Sequence, residues 1–234
     1  MTSKNFRRLP FTNVANARDL GGYPTKKGGM TRYGVFYRSG NLHKASSQDV
    51  ELIRELGIST IIDLRYQDEC THMPNVDLGD SVTTHNISLF ADLSPERLAV
   101  KHGEADTQTL IHMYLQVINE CSNKLKEVFE VLASVEEGAS LIHCAVGKDR
   151  TGIIVMFLLS LAGVEDVDIV ADYEVSRTYI ASFSDDLSGS HYSNMSRLLT
   201  YIHEKYGSPE GYLESIGIDR DKLERIRKRI LLTD

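Results

Sequence analysis

The sequence predicts an α/β fold: a mostly parallel central sheet flanked by helices, with a helical C-terminal part. Two short apolar runs, Ile58 to Ile62 and Ala139 to His143, have the length of buried strands. Longer stretches with apolar residues at helical spacing separate and follow them, and helical patterning dominates after residue 197. The 234 residues, 41% of them hydrophobic, are enough for one globular domain with a sizeable core. That domain, residues 1–234, divides into a turn-rich strand region (1–45), a central α/β part, a candidate lid (181–196) and a helical end (197–234). A formal charge of −7 argues against a general nucleic-acid or membrane-surface binder. Cys70, Cys121 and Cys144 are odd in number and show no disulfide pattern, so a reducing, cytoplasmic setting is expected, with leaderless export left open. Residues 1–12 carry Lys4, Arg7 and Arg8 with no apolar stretch behind them, and no window of eighteen apolar residues follows. Neither a signal peptide nor an integral membrane segment is expected.

In chain order, residues 13–38 are rich in glycine and turns, with Lys26 to Gly29 the tip of a hairpin. Tyr37 to Leu42 follows a strand and leads into Ser46, an N-cap with Asp49 three residues on. The helix they open carries Val50, Ile53 and Leu56 and stops at Gly57. The strand from Ile58 ends in Asp63-Leu64-Arg65. Ligands gather beyond the carboxyl ends of parallel strands, so Asp63 and Arg65 would lie near the rim of any site there, unless they simply neutralise each other. Residues 67–94 read as loop, with a strand at His85 to Leu89, and Ser94-Pro95-Glu96 caps a further helix. Two amphipathic helices follow from Thr107, joined near Ser122, and their Met and aromatic stripes read as core. Asp166 to Tyr179 is another helix. The serines of 181–196 dilute any period, which predicts a lid-like loop, and helix resumes at Met195. Ser208 and Asp219 cap the last two helices, the final one burying Leu223, Ile226 and Ile230. Its Arg225, Arg227, Lys228 and Arg229 read as a solvated face near a helix C-terminus.

The stretch that carries chemistry joins the strand at 139–143 to an almost wholly apolar helix from Ile153 to Ala162, which Gly163 ends. Cys144 opens the loop between them and Arg150 stands six positions later. A loop closing onto a helix start turns backbone N–H groups inward and adds the helix dipole, so it can hold a phosphate dianion without a metal. Here the amides of Ala145, Val146, Gly147 and Lys148 are the candidate substrate-binding set, with Arg150 as a forked clasp for two phosphate oxygens. Gly147 permits the positive φ or close approach that such a loop demands. The field that binds phosphate also favours a thiolate over a thiol. Thr151 is placed to donate its hydroxyl to that sulfur, and His143 to brace the loop backbone. A lone cysteine before an apolar helix is ordinarily a small core residue. Strand, His-Cys, loop glycine, Arg-Thr-Gly and apolar helix in this order point instead to a nucleophile.

The string His-Cys-Ala-Val-Gly-Lys-Asp-Arg-Thr-Gly, from His143 to Gly152, resembles the signature of cysteine-dependent phosphatases. Its Gly-Lys-Asp-Arg-Thr core resembles that of the atypical bacterial tyrosine-protein phosphatases, a group that includes mycobacterial and Listeria enzymes acting on phosphoproteins and phosphoinositides. Asn16-Ala-Arg-Asp-Leu-Gly-Gly22 and Gly211-Tyr-Leu213 with Gly217 resemble the same group, so the likeness spans nearly the whole chain. The resemblance implies a cysteine-phosphatase-like sheet, a phosphocysteine intermediate on Cys144, no cofactor, and phosphotyrosine protein as substrate beside phosphoserine, phosphothreonine and phosphoinositide. The better-known tyrosine phosphatases take their general acid from a Trp-Pro-Asp loop, and this chain has no Trp. The resemblance implies Asp149 in that role, while Asp63 and Asp92 stay open as alternatives. Lys148 would meet a second phosphate on an inositol ring or screen a phosphopeptide. Phosphoinositide-selective relatives often carry a basic residue where this chain has Ala145, a departure that favours mixed specificity. Three other readings compete: a rhodanese-like sulfurtransferase, a non-catalytic phosphate-binding module, and a thiol sensor using Cys70 or Cys121.

Overall fold

The computed structural model describes residues 6–90, 107–181 and 191–232. Among the described residues five strands form one sheet: β1 (Arg18–Asp19), β2 (Phe36–Ser39), β3 (Ile58–Asp63), β4 (Thr83–Asn86) and β5 (Ala139–His143), in the order β1-β2-β5-β3-β4. Every pair but β1/β2 is parallel. Registers align Ser39 with His143, His143 with Asp63 and Asp63 with Asn86, so four strands finish in one row. Chain leaving that row (Gly40, Leu64, Ile87 and Cys144) therefore shares one rim, where ligands of parallel sheets gather.

Alternation along the strands buries both faces of the sheet. Phe36, Ile62 and Ile142 enter the larger core, while Tyr37, Ile61 and Leu141 enter a smaller one on the other face. The smaller core is closed by Ile53 of α1 (Ser47–Glu55), whose Ser46–Asp49 capping box forms as the sequence implies. The larger is closed by α3 (Thr107–Glu120), α4 (Ser122–Ser134), α5 (Asp149–Leu161), α6 (Asp166–Ile180), α7 (Tyr192–Tyr206), α8 (Pro209–Ser215) and α9 (Arg220–Ile230). Between β5 and α6, α8 and α9, α5 is covered on every side, and Ile153 to Leu159 are all buried. An all-round apolar helix needs such a setting. No helix of the described residues is long and apolar enough to cross a membrane.

Several boundaries differ from the sequence expectation. A short helix, α2 (Gln67–His72), occupies part of the stretch read as loop. None of its residues is buried, so it leaves no apolar period to detect. The strand expected at 85–89 lies at Thr83–Asn86; its exposed edge residues carry little apolar signal, whereas buried Ile87 and Leu89 follow it. Tyr37, Arg38 and Ser39 lie within β2 rather than after it. Helix α7 starts at Tyr192 with His191 as its cap, so residues 192–196 of the candidate lid are helical, and residues 182–190 lie outside the described part. The Ser94–Glu96 cap and Asp92 lie outside it too. The basic run on α9 is not simply solvated. Arg227 pairs with Glu210, and Arg229 donates to the carbonyls of Leu132 and Gly138, tying α9 to its neighbours.

Candidate active site

Cys144 is the first residue beyond β5, 3% exposed, and its Sγ accepts the Gly147 N–H at 3.2 Å. The loop's carbonyls are tied on its outer side. Asn41 donates to Ala145 O through its backbone N–H (3.0 Å) and its amide (2.8 Å). The Asn16 amide donates to Val146 O (3.2 Å) and Gly147 O (2.8 Å), and Arg38 Nη2 to Gly147 O (2.6 Å). In a trans peptide the C=O and the next N–H point opposite ways. Carbonyls held outward at 145, 146 and 147 therefore turn the amides of Val146, Gly147 and Lys148 inward, toward the sulfur. Helix α5 begins at once, at Asp149 rather than Ile153, because Asp149-Arg-Thr-Gly forms its first turn. Helix α5 therefore sets the positive end of its dipole at the loop that carries Cys144.

Arg150, in the first turn of α5, is held by Glu69 of α2. Its Nη1 and Nη2 bond the two Glu69 oxygens at 2.6 and 3.0 Å, with Tyr66 and Phe90 rings 5.5 and 5.6 Å from the guanidinium. Burial alone would lower the Arg150 pKa, but Glu69 and the Cys144 sulfur outweigh it and keep the group firmly charged. Glu69 is exposed to the opposite pull: burial would raise it, and the two bonds from Arg150 hold it below the usual range. Glu69 reaches this position because it sits in the first turn of α2, where it also accepts the Tyr66 N–H at 2.8 Å.

Asp149 points its Oδ1 at two buried phenols. Tyr114 donates to it, Tyr173 lies 3.4 Å away, and the two hydroxyls are 2.7 Å apart. Its Oδ2 lies 3.8 Å from Lys148 Nζ. The alternative acid, Asp63, is engaged otherwise. Arg65 bonds it through Nε and Nη2 at 2.9 and 2.7 Å, and His143 Nε2 is 3.6 Å away. Burial would raise the Asp63 pKa, yet Arg65 and His143 bring it below the usual range, which suits a fixed counter-charge rather than a proton donor. His143 is buried, its pKa lowered by desolvation, and its Nδ1 lies 3.2 Å from Cys144 O, as a brace requires. The expected Thr151 bond to sulfur is not formed. Its buried hydroxyl has no partner among the described residues, and Gly147 N–H takes that role. Val146 is 41% exposed, on the rim of the loop.

Beneath the loop lies a cluster the sequence did not announce. Asp172 of α6 accepts from Arg18 Nε at 2.8 Å, Arg38 Nη1 at 2.6 Å and the Tyr23 hydroxyl at 2.6 Å. Ser176 accepts from Arg18 at 2.9 Å, and Asn16 from Arg18 as well. The Asn16–Asp19 string was visible as a tied turn; its partner, Asp172, lies 154 positions from Arg18 and reads in sequence as one more helical acid. Glu69, Asn41, Tyr114 and Tyr173 were missed for the same reason.

Cys144 with its sulfur on the Gly147 amide, and Arg150 anchored on Glu69, thus stand in one loop at the carboxyl rim of a mostly parallel sheet in an α/β protein. The chain belongs to the tyrosine phosphatase family, whose family model matches residues 9–232. It is 30% identical over 219 residues to a tyrosine-protein phosphatase of Nostoc commune, covering 84% of this chain and 74% of that one. It is 26% identical over 281 residues to the triple specificity protein phosphatase PtpB of Mycobacterium tuberculosis, covering 96% and 99%. Among solved structures, TpbA of P. aeruginosa is similar at 15% identity and a TM-score of 0.40, over 93% of this chain and all of that one.

Proposed function

We propose that the chain hydrolyses phosphomonoesters through a phosphocysteine on Cys144. The observation that carries the proposal is the Cys144 sulfur receiving the Gly147 amide at 3.2 Å, close enough to Arg150 for the two to interact electrostatically. In this reading the thiolate attacks phosphorus in line while Arg150 and the amides of Val146, Gly147 and Lys148 hold the equatorial oxygens. The P–O bond to the leaving group breaks as the S–P bond forms, and Asp149 gives its proton to the departing oxygen. Water, with Asp149 now acting as base, then cleaves the S–P bond and releases phosphate. Lys148 Nζ lies 3.8 Å from Asp149 Oδ2, within reach of both the acid and the substrate's oxygens in this reading.

Phosphotyrosine protein is the first substrate class, with phosphoserine, phosphothreonine and phosphoinositide beside it. The name of the mycobacterial relative, a triple specificity enzyme, supports that breadth. Lys148, its side chain 12% exposed at the loop, is the group that would meet a second phosphate or an acidic peptide. Turnover of p-nitrophenyl phosphate, then of phosphotyrosine, phosphoserine and phosphoinositide, tests the proposal. Cys144→Ser is expected to abolish turnover while still binding vanadate, and Asp149→Asn to lose about a hundredfold or more. Chelator should leave the rate unchanged, and iodoacetate should stop it. A Cys144→Ser enzyme with wild-type turnover, or thiosulfate:cyanide transfer in place of phosphate release, would end this reading. Wild-type rates in Asp149→Asn, with loss in a folded Asp63→Asn, would move the acid to Asp63.

A further inference from the structure

The two phenols on Asp149 are not needed to hold a phosphate, and they are costly to bury. Tyr114 of α3 is 0% exposed and Tyr173 of α6 is 1% exposed. A phenol hydroxyl removed from water is destabilising unless it finds a partner. Here the two rings meet edge to face, 6.3 Å between centroids, and both hydroxyls converge on the first residue of α5.

Each phenol has one hydrogen, so the donor order can be worked out. Tyr114 gives its hydrogen to Asp149, which as a carboxylate only accepts. At 2.7 Å the Tyr114 oxygen must then accept from Tyr173, and the Tyr173 oxygen in turn has the Asn194 amide beside it. Burial first, and the Asp149 charge second, push both phenols well above the usual tyrosine range, so they remain donors at any working pH. Hydrogen bonds arranged head to tail in this way strengthen one another.

A separate feature supports the same arrangement. Gly152 lies one turn beyond Asp149, and a Cβ there would stand 3.0 Å from Tyr173 Cδ2. The glycine closing the Arg-Thr-Gly string gives the Tyr173 ring its place against α5.

We propose that Tyr114 and Tyr173 are positioning residues that tie up Asp149 Oδ1, leaving Oδ2 as the only oxygen that carries the proton for the leaving group. The proposal rests on the reading of Asp149 as general acid. It adds a geometric commitment: the carboxyl cannot rotate its proton away, because Oδ1 is held by a donor and only the oxygen beside Lys148 is open. The pair acts through Asp149 and touches no reacting atom.

The test is a leaving-group series read as kcat/KM, which covers the steps up to release of the alcohol. Phenyl phosphate needs a proton donor; 2,4-dinitrophenyl phosphate does not. Tyr114→Phe is expected to lower kcat/KM about tenfold on phenyl phosphate and to stay within about twofold of wild type on the dinitrophenyl ester. An equal fall on both esters means that the phenol only holds the fold together, and overturns the proposal. So does a wild-type rate on phenyl phosphate. If Tyr114→Phe does not fold, Tyr173→Phe carries the same test, because it leaves the Tyr114 bond in place and removes only the link behind it. Asp149→Asn run alongside separates the two layers. Loss on phenyl phosphate there, without loss in either tyrosine variant, sinks the relay and keeps the acid. No loss there sinks the acid itself.

Discussion

Gly147 meets two demands that no other residue type meets together. Its φ is +72°, in the left-handed region where a side chain is strained, and a Cβ would stand 2.2 Å from Ser39 O and 2.6 Å from Gly40 N. The contact is with backbone of a buried strand end, which cannot swing aside as a flexible side chain would. Gly147→Ala must therefore push the loop away from β2, and with it the amide that reaches the Cys144 sulfur. The expected result is a loss of about 2 kcal/mol or more in urea denaturation and loss of tight vanadate binding. Val167→Ala, at an exposed position on α6, should change neither. A Gly147→Ala protein with both properties intact would show that the loop closes without the backbone contact described here.

Between elements, the decisive tie is Asp172 of α6 with Arg18 of β1 and Arg38 of β2, all three at most 3% exposed. Desolvation lowers the Arg38 pKa to about 10 even with Asp172 against it. Burial would raise Asp172, but the two guanidiniums dominate and hold it below the carboxylate range. A depressed carboxylate contributes stability that is present above its unfolded pKa of about 3.9 and is lost as pH falls through the folded value. Asp172→Asn leaves two buried cations without their counter-charge, and a cost of about 3–5 kcal/mol is expected in the urea midpoint. Because Arg38 also holds Gly147 O, any folded Asp172→Asn enzyme should bind vanadate more weakly. This cluster also marks the limit of what the sequence discloses. The strands β3 and β5, the core of α5 and the loop from Cys144 to Arg150 were legible because each is a local run of one character. Helix α2 was not, having no buried face, and the first turn of α5 was not, its residues being polar. Glu69, Tyr114, Tyr173 and Asp172 reach the site from helices far along the chain, and no local pattern encodes which of many acids and phenols will do so.

For the molecule as a whole, these buried charges make stability depend on pH in opposing ways. Asp49, Asp63, Glu69 and Asp172 are all held below the usual range by their partners despite burial, so each weakens the fold as pH falls below about 4. His143 is buried with its pKa lowered, so the fold loses ground as the unfolded histidine takes up a proton below about 6.5. Asp19 runs the other way. Burial lifts it from 3.8 to about 6, against hydrogen bonds from Gly34 and Gly21 and the charge of Arg7. Between those two values the folded chain holds a proton that the unfolded chain has released. Stability contributed by this group is therefore lost as pH rises from about 4 to 6, by about 3 kcal/mol in all, and is flat above that. Asp19→Asn isolates the effect. An amide accepts from Gly21 but not from Gly34 as well, a pH-independent cost of about 1–3 kcal/mol that lowers the whole curve. The wild-type advantage over Asp19→Asn in unfolding free energy, measured in urea from pH 4 to 7, should then fall by about 3 kcal/mol as pH rises, to zero or into the mutant's favour, with its midpoint on the acid side of neutral. A difference that stays constant across that range would mean that Asp19 titrates as an ordinary surface carboxylate and that water reaches it where β1 turns into the glycine pair.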